Sequence, residues 1–197
     1  TSLTETVLQP DTSPTDVIFA DGFESGDLSG WSAAKTDGGD LSAATAAAIA
    51  GTYGMQVVVD DNNGIYVSDW TPVAESQYRV RFYFDPNSIT MAHLDALYLL
   101  QAMNAGSTVV ARIELRSFQG DYQVRAEAVN DATSWSSTSW FTIRDQMHYL
   151  EINWKAATAS GANNGILTLW IDGTQQATIT NIDSDTRRVD SIQFGAV

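Results

Sequence analysis

Five segments of the chain alternate apolar and polar residues with a period of two, and this alternation limits the possible folds more than any other feature. The segments are residues 78–84, 109–116, 122–128, 148–154 and 165–171. Successive side chains of a β-strand point to opposite faces, so each segment predicts a strand with one face on a core. Shorter candidates at 55–60, 64–67, 97–103, 140–143, 175–180 and 191–195 extend the series. Many short strands separated by turn sequences predict an all-β sandwich or barrel of roughly a dozen strands.

Two parts of the chain do not follow this pattern. The Ala-rich stretch 42–50 looks helical but is short, so it predicts a helix of at most a turn or two. Residues 1–16 are rich in Thr, Ser, Pro and Asp and show no periodicity. We therefore expect a linker or lead-in over 1–16, followed by a single domain over 17–197.

The charge balance excludes several classes of partner. Ten Lys and Arg residues face 24 Asp and Glu residues, which gives a formal net charge of −14. Binding to nucleic acid or to an anionic membrane surface needs a basic surface, so neither partner is expected.

No apolar run approaches the roughly 20 residues of a transmembrane helix. The chain has no Cys, which excludes disulfides and thiolate chemistry.

Several segments resemble a known family of modules. Residues 21–31 (DGFESGDLSGW) and 51–57 (GTYGMQV) resemble the opening of extracellular β-sandwich modules. Residues 149–156, 165–173 and 189–195 are similar to concanavalin A-like, or laminin G-like, jelly rolls of secreted bacterial proteins. The resemblance implies an all-β jelly-roll sandwich of two antiparallel sheets, an extracellular or cell-surface location, and a place as one domain of a larger protein.

The same resemblance implies a structural calcium ion. Its carboxylate ligands match Asp21, Glu24 and Asp190 in this chain. Calcium takes six to eight oxygen ligands, and carboxylates supply the charge. The alternative is that these carboxylates only cap turns and strand ends.

Arginine residues are concentrated at outward positions of the predicted strands, where Glu114 and Glu127 also lie. Two interpretations stay open: the Arg and Glu side chains form cross-strand ion pairs, or the Arg side chains bind an anionic saccharide. If Arg79 and Arg81 lie on a different sheet from the other Arg residues, the group is divided. The five are Arg79, Arg81, Arg112, Arg116 and Arg125.

Aromatic residues add a second indication of saccharide binding. Trp135 and Trp140 flank a Ser- and Thr-rich stretch, and Tyr83 and Tyr98 lie in or near predicted strands. Exposed aromatic rings stack on the apolar faces of sugars, so these four are candidate ligand contacts. The alternative for Trp140 is that it opens a strand and covers one end of the sandwich.

Two further segments resemble motifs of jelly-roll alginate lyases, namely 112–116 (RIELR) and 146–148 (QMH). In that family the Arg and Gln neutralise a uronate carboxylate and the His handles protons, which here implies Arg112, Gln146 and His148. The family's third motif, a late strand that supplies a catalytic Tyr, has no counterpart after His148. The alternation also places His148 on the inward face of its strand.

These observations favour a noncatalytic carbohydrate-binding or adhesion module with a structural calcium ion and a polysaccharide or glycan as its partner. The expected ligand contacts are Tyr98, Arg112, Arg116, Arg125, Trp135 and Trp140. A uronate lyase is one alternative. A structural or protein-interaction module without a glycan ligand is the other.

Overall fold

The structure, a computed structural model, describes residues 17–197, which form fourteen β-strands and two short 3-10 helices. The predicted lead-in over 1–16 lies outside the described residues. The 3-10 helices are Asp37–Gly39 and Thr45–Ala47. The strands are β1 (Ala33–Lys35), β2 (Leu41–Ala44), β3 (Gly54–Val57), β4 (Ile65–Asp69), β5 (Gln77–Phe84), β6 (Ala96–Met103), β7 (Val109–Phe118), β8 (Asp121–Val129), β9 (Trp135–Ser137), β10 (Phe141–Ile143), β11 (His148–Lys155), β12 (Gly165–Ile171), β13 (Thr174–Ile182) and β14 (Ser191–Ala196).

Two antiparallel sheets pack face to face. The larger sheet has eight strands in the order β1-β4-β14-β6-β7-β8-β10, and β9 also pairs with β8. The smaller sheet has four strands in the order β13-β12-β11-β5, and β2 and β3 form a separate two-stranded sheet. This arrangement confirms the predicted all-β jelly-roll sandwich.

The core lies between the two sheets and follows from the period-two alternation. Ile113 and Val124 from the large sheet and Leu150 and Leu169 from the small sheet have no exposed surface. Trp154, as expected from its parity, is only 1% exposed. Because one residue in two along each strand enters this core, the intervening side chains form the outer faces of the sandwich.

Residues 42–50 were expected to form at most a turn or two of helix, and they contain one 3-10 turn, Thr45–Ala47. The residues before this turn form a strand instead, because Leu41–Ala44 is β2 and pairs with β3. The turn packs closely on Gly54, where a Cβ atom would lie 2.0 Å from the Ala47 carbonyl oxygen. Only glycine fits such an approach, and strand pairing then prevails over the weak helical tendency of a short Ala-rich segment.

The region around 135–143 also differs from expectation. Trp135 opens the three-residue strand β9, which pairs with β8, instead of lying in a loop. β10 begins at Phe141, so Trp140 precedes the strand that was expected to contain it.

No helix within residues 17–197 has both the length and the apolar character needed to cross a membrane.

Candidate functional site

The outer face of the large sheet carries a group of charged side chains on β7 and β8. Arg112 and Glu114 alternate along β7 with the buried Ile113, and Arg125 alternates along β8 with the buried Val124. The cross-strand register places Arg112 opposite Glu127 and Glu114 opposite Arg125. We call this surface, formed by Arg112, Glu114, Arg116, Arg125 and Glu127, the arginine face.

Ion pairs connect most of these side chains. Arg112 Nε donates to Glu127 Oε2 at 2.6 Å, and Arg125 Nε donates to Glu114 Oε2 at 2.7 Å. Arg125 Nη2 lies 3.0 Å from the second oxygen of Glu127. The two carboxylates are well covered, since Glu114 and Glu127 are 8% and 2% exposed. The ion-pair interpretation of these residues is confirmed.

Arg116 differs from the other two arginines of this face. Its Nε and Nη2 donate to the neutral Gln123 Oε1 at 2.9 and 2.7 Å. Within the described part of the chain, no carboxylate lies within ion-pair distance of it. A guanidinium carries five N–H groups, so Arg116 keeps N–H groups beyond those bound to Gln123. With three Arg and two Glu side chains, the arginine face has one uncompensated positive charge, centred on Arg116.

Aromatic rings stack on all three guanidinium groups. The Arg112 guanidinium carbon lies 4.3 Å from the ring centre of Tyr98 and 3.9 Å from that of Trp135. Trp140 lies 3.9 Å from Arg116 and 4.4 Å from Arg125. Such contacts are favourable cation–π interactions and fix the direction of the planar group. The six predicted ligand contacts, Tyr98, Arg112, Arg116, Arg125, Trp135 and Trp140, therefore lie together on one face.

The remaining two arginines lie on the other sheet, which divides the predicted group. Arg79 and Arg81 belong to β5, and their Nε atoms donate to the two oxygens of Glu151 at 2.5 and 2.7 Å. Arg79 also lies over the ring of Trp170, which faces outward as its parity predicts. Tyr83 shares this outer face with Arg79 and Arg81 and is therefore separated from Tyr98.

The residues implied by the lyase resemblance do not form one site. His148 begins β11 in the small sheet and is 5% exposed, with Nδ1 at 2.7 Å from Asp172 Oδ2. Gln146 and His148 line a depression beside Arg144, whereas Arg112 lies on the arginine face of the other sheet. The separation follows from topology, because β7 and β11 belong to different sheets and His148 points inward.

One histidine not considered from the sequence lies near the arginine face. The ring of His93 is 5.2 Å from that of Phe118, and Phe118 also contacts the Arg116 guanidinium at 4.7 Å. His93 Nδ1 accepts a hydrogen bond from the Gln119 backbone N–H at 3.2 Å. The residue precedes β6 in a loop, where no alternation indicates its direction, so the sequence pattern did not identify it.

The three predicted calcium ligands each cap backbone amides. Asp21 accepts the Phe23 N–H at 2.9 Å, and Asp190 accepts the N–H groups of Ala74 and Ala105 at 3.0 and 2.9 Å. Glu24 lies against the segment 51–57, since it accepts the Thr52 and Tyr53 N–H groups at 3.0 and 3.2 Å. Within residues 17–197, Asp21, Glu24 and Asp190 do not gather into one compact carboxylate group.

A different set of carboxylates does form a compact group. Asp131, Asp183 and Asp185 each place an oxygen within 4.8 Å of the others, an arrangement that can hold a metal ion. Desolvation and the neighbouring Asp131 raise the pKa of Asp185 above its ordinary value. Arg187 Nε lies 3.4 Å from Asp131 and supplies one positive charge. The group joins the loop after β8 to the loop after β13, so the spacing along the chain did not predict it.

Comparisons with known proteins support the fold. No family model matches the chain, and no curated protein matches it. Among solved structures, an endo-β-1,4-glucuronan lyase from the fungus Trichoderma reesei aligns over 87% of this chain and 81% of its own, with 14% identity and a TM-score of 0.63.

The weaker structural matches include two further proteins. A heptameric SAP-like pentraxin from Limulus polyphemus covers 68% of this chain and 59% of its own, at 11% identity and a TM-score of 0.47. An alginate lyase from Alteromonas sp. 272 covers 69% and 62%, at 10% identity and a TM-score of 0.44. Together with the sheet topology, the Trichoderma match defines this chain as a jelly-roll β-sandwich protein.

Proposed function

We propose that this chain is a noncatalytic module that binds an acidic polysaccharide on the arginine face. The observation that carries the proposal is Arg116, which is stacked on aromatic rings and has no carboxylate partner within residues 17–197. A guanidinium with free N–H groups held in a fixed plane suits the two oxygens of a uronate carboxylate. The aromatic rings beside it supply apolar surface for the sugar ring.

The charge distribution supports an anionic rather than a neutral ligand. The protein as a whole carries −14, so a general negative field opposes the approach of any polyanion. The arginine face has a local positive excess, since two carboxylates compensate only two of its three guanidinium groups. Binding there therefore depends on direct contact with Arg116 and not on long-range attraction.

The Trichoderma structure supports the proposal at the level of the fold. That protein is described as a lyase of glucuronan, so a sandwich of this shape accommodates an acidic polysaccharide. We extend the proposal to an extracellular or cell-surface location. There the module is one domain of a larger protein and attaches that protein to a glycan.

The test is calorimetric titration of the chain with glucuronan, alginate and a neutral glucan. We expect the acidic polymers to bind and Arg116→Gln to weaken them about tenfold or more, as the loss of a charged hydrogen bond implies. Lys155→Gln is the control, because it removes one exposed positive charge from the other sheet. Equal effects of the two substitutions would place the site elsewhere. No binding to any glycan would favour a structural or protein-interaction module.

A uronate lyase is the second candidate, and the position of His93 favours it. His93 and Arg116 contact the same Phe118 ring, which brings a proton-transferring group near the carboxylate-binding arginine. Incubation with glucuronan or alginate distinguishes the candidates, because a lyase produces unsaturated uronate ends that absorb ultraviolet light. A noncatalytic module gives no absorbance rise. A rise that His93→Ala abolishes would establish the lyase.

We propose that the group of Asp131, Asp183 and Asp185 holds a structural Ca²⁺ ion, because carboxylate oxygens are ligands that calcium prefers. Calcium added to chelator-treated protein should raise the Tm, since an ion bound only to the native state stabilises it. Asp183→Asn should remove this increase, whereas Glu24→Gln should retain it. The opposite pattern would favour the set implied by the sequence resemblance. No effect of calcium would remove the ion from the proposal.

A further inference from the structure

The arginine face continues into a polar row that crosses seven of the eight strands of the large sheet. Each member of the row pairs with the next across adjacent strands, so all of them lie on the same outer face. All but the first are polar. In order from β1 to β9 they are Ala33, Ser68, Gln193, Gln101, Arg112, Glu127 and Ser137.

The length of this row fits an extended ligand. Its seven residues come from seven neighbouring strands, and strands lie about 4.8 Å apart, so the row spans about 29 Å. A single sugar covers only a small part of this distance. The row therefore offers hydrogen-bonding groups to a linear chain that lies across the strands.

A depression of about 330 Å³ lies at the end of the row opposite β9. Its lining includes Lys35 and Tyr66, together with Ser68 and Gln193 from the polar row itself. Trp70 forms one wall. We call this depression the Lys35 pocket.

The Trp70 side chain does not pack into the hydrophobic core. It is 61% exposed, more than any other tryptophan in the described part of the chain. Its backbone N–H donates to Ser32 Oγ at 3.0 Å, which fixes its position beside β1. An exposed aromatic ring beside polar groups offers an apolar surface on which a sugar ring stacks, while the polar groups bind its hydroxyls.

Lys35 supplies the second uncompensated charge of this face. Its Nζ lies 5.9 Å from the ring centre of Tyr66, and within residues 17–197 no carboxylate lies at ion-pair distance from it. Lys35 on β1 and Arg116 on β7 therefore present two separate positive charges on one outer face.

We propose that the Lys35 pocket is a second sugar-binding subsite, which holds a uronate residue of the same polymer whose distant part contacts Arg116. This inference rests on the proposed function and specifies its ligand as a linear acidic polysaccharide that lies across the strands. Trp70 stacks on the sugar ring and Lys35 binds its carboxylate, while Gln193 and Gln101 of the polar row contact the hydroxyl groups between the two subsites.

Linkage of the two subsites makes affinity depend on ligand length. The strands that carry Lys35 and Arg116, β1 and β7, are four spacings apart, or about 19 Å. A disaccharide therefore reaches one subsite only, whereas a chain long enough to bridge this distance occupies both, and the second contact then forms intramolecularly. The test is to measure the affinity of uronic-acid oligosaccharides of increasing length, from the disaccharide upward, by calorimetry. We expect a rise of about tenfold or more when the oligosaccharide first spans both subsites.

Two substitutions at the pocket and one at the arginine face complete the test. Trp70→Ala and Lys35→Gln should reduce the affinity of long chains to that of chains too short to bridge the two subsites. The affinity that such short chains have for the Arg116 subsite should not change. Arg116→Gln should weaken the binding of long and of short chains, whereas Lys155→Gln should change neither affinity. Trp70 and Lys35 are exposed, so the variants should fold, which circular dichroism checks.

Three results would contradict the inference. Binding of long and short chains with equal affinity would refute the second subsite and leave the arginine face intact. If both Trp70→Ala and Lys35→Gln bind long chains as tightly as the wild type, the second subsite is likewise refuted. Absence of binding at every length, in wild type as well, would refute the proposed function together with this extension.

Discussion

Glu127 accepts hydrogen bonds from Arg112 and Ser137 and lies at ion-pair distance from Arg125, so its substitution gives the sharpest test of the arginine face. Arg112 Nε lies 2.6 Å away, Ser137 Oγ 2.5 Å and Arg125 Nη2 3.0 Å. The carboxylate is almost fully buried, with 2% of the residue exposed. Glu127→Gln keeps the size of the side chain and removes its charge, so two guanidinium groups lose a shared partner.

The expected loss of stability follows from the burial of these groups. Removal of one member of a buried ion pair costs about 3–5 kcal/mol, because the remaining charge stays uncompensated. The cost is smaller here, since the Arg112 and Arg125 side chains are 18% and 26% exposed and Arg125 keeps Glu114. We expect a decrease in the free energy of unfolding of about 2–3 kcal/mol. For a domain of this size, that corresponds to a fall in Tm of about 4–12 °C.

The assay is urea unfolding of the wild type, Glu127→Gln and two controls. Glu114→Gln removes a carboxylate with a single arginine partner, so its effect should be smaller. Asp121→Asn removes an exposed charge at the start of β8 and should have almost no effect. A loss for Glu127→Gln as small as that for Asp121→Asn would show that the ion pairs contribute nothing and would refute this reasoning.

The same substitution should strengthen the binding of glycans while it lowers stability. Glu127→Gln increases the local positive excess of the arginine face from one charge to two, because three guanidinium groups then face a single carboxylate. The affinity for glucuronan or alginate should rise, and the rise should shrink as salt is added. A fall in both stability and affinity would instead indicate that Glu127 only maintains the shape of the surface.

Three further predictions concern other parts of the fold. Leu169→Ala removes a fully buried side chain and should lower the free energy of unfolding by about 3–4 kcal/mol in urea titrations. Gly54→Ala would place a Cβ atom 2.0 Å from the Ala47 carbonyl oxygen and should cost about 2 kcal/mol or more in the same assay. Hydrogen bonds from Ser88 lower the pKa of Asp145, so Ser88→Ala should raise that pKa towards its ordinary value in an NMR titration. Because the folded-state pKa is lowered, the stabilisation is present above the ordinary carboxyl pKa and is lost as pH falls through the folded-state pKa.

The long strands were predictable from the sequence because their alternation extends over many residues. Val124 and Leu169, for example, have the burial that parity assigns to them. Strands of three or four residues show no clear period, and β1, β2 and β9 were not predicted. The equally short β3 and β10 overlap the candidates at 55–60 and 140–143. These strands form because a neighbouring strand offers unpaired backbone groups, and this depends on the tertiary fold.

The sequence predicted which side chains of the candidate site point outward, but it did not predict which of them lie on the same sheet. Parity alone placed Arg112 and Arg125 on an outer face, and the register then paired them with Glu127 and Glu114. The same parity could not show that Arg79 belongs to the other sheet, because sheet membership depends on how distant strands associate. The group of three aspartates and the Lys35 pocket depend on loops and on strand order in the same way.

The ion pairs explain how a strongly acidic protein presents a cluster of arginines. Three guanidinium groups on adjacent strands repel one another, and Glu114 and Glu127 compensate two of these charges and hold the planar groups in place. What remains is one charge at Arg116 and another at Lys35, separated along one face. Because the rest of the molecule repels anions, a ligand that contacts only one of these charges binds less tightly than a ligand that contacts both. We expect a polymer with carboxylates at regular intervals to contact both charges, so that this protein selects its ligand by the spacing of charge along the chain.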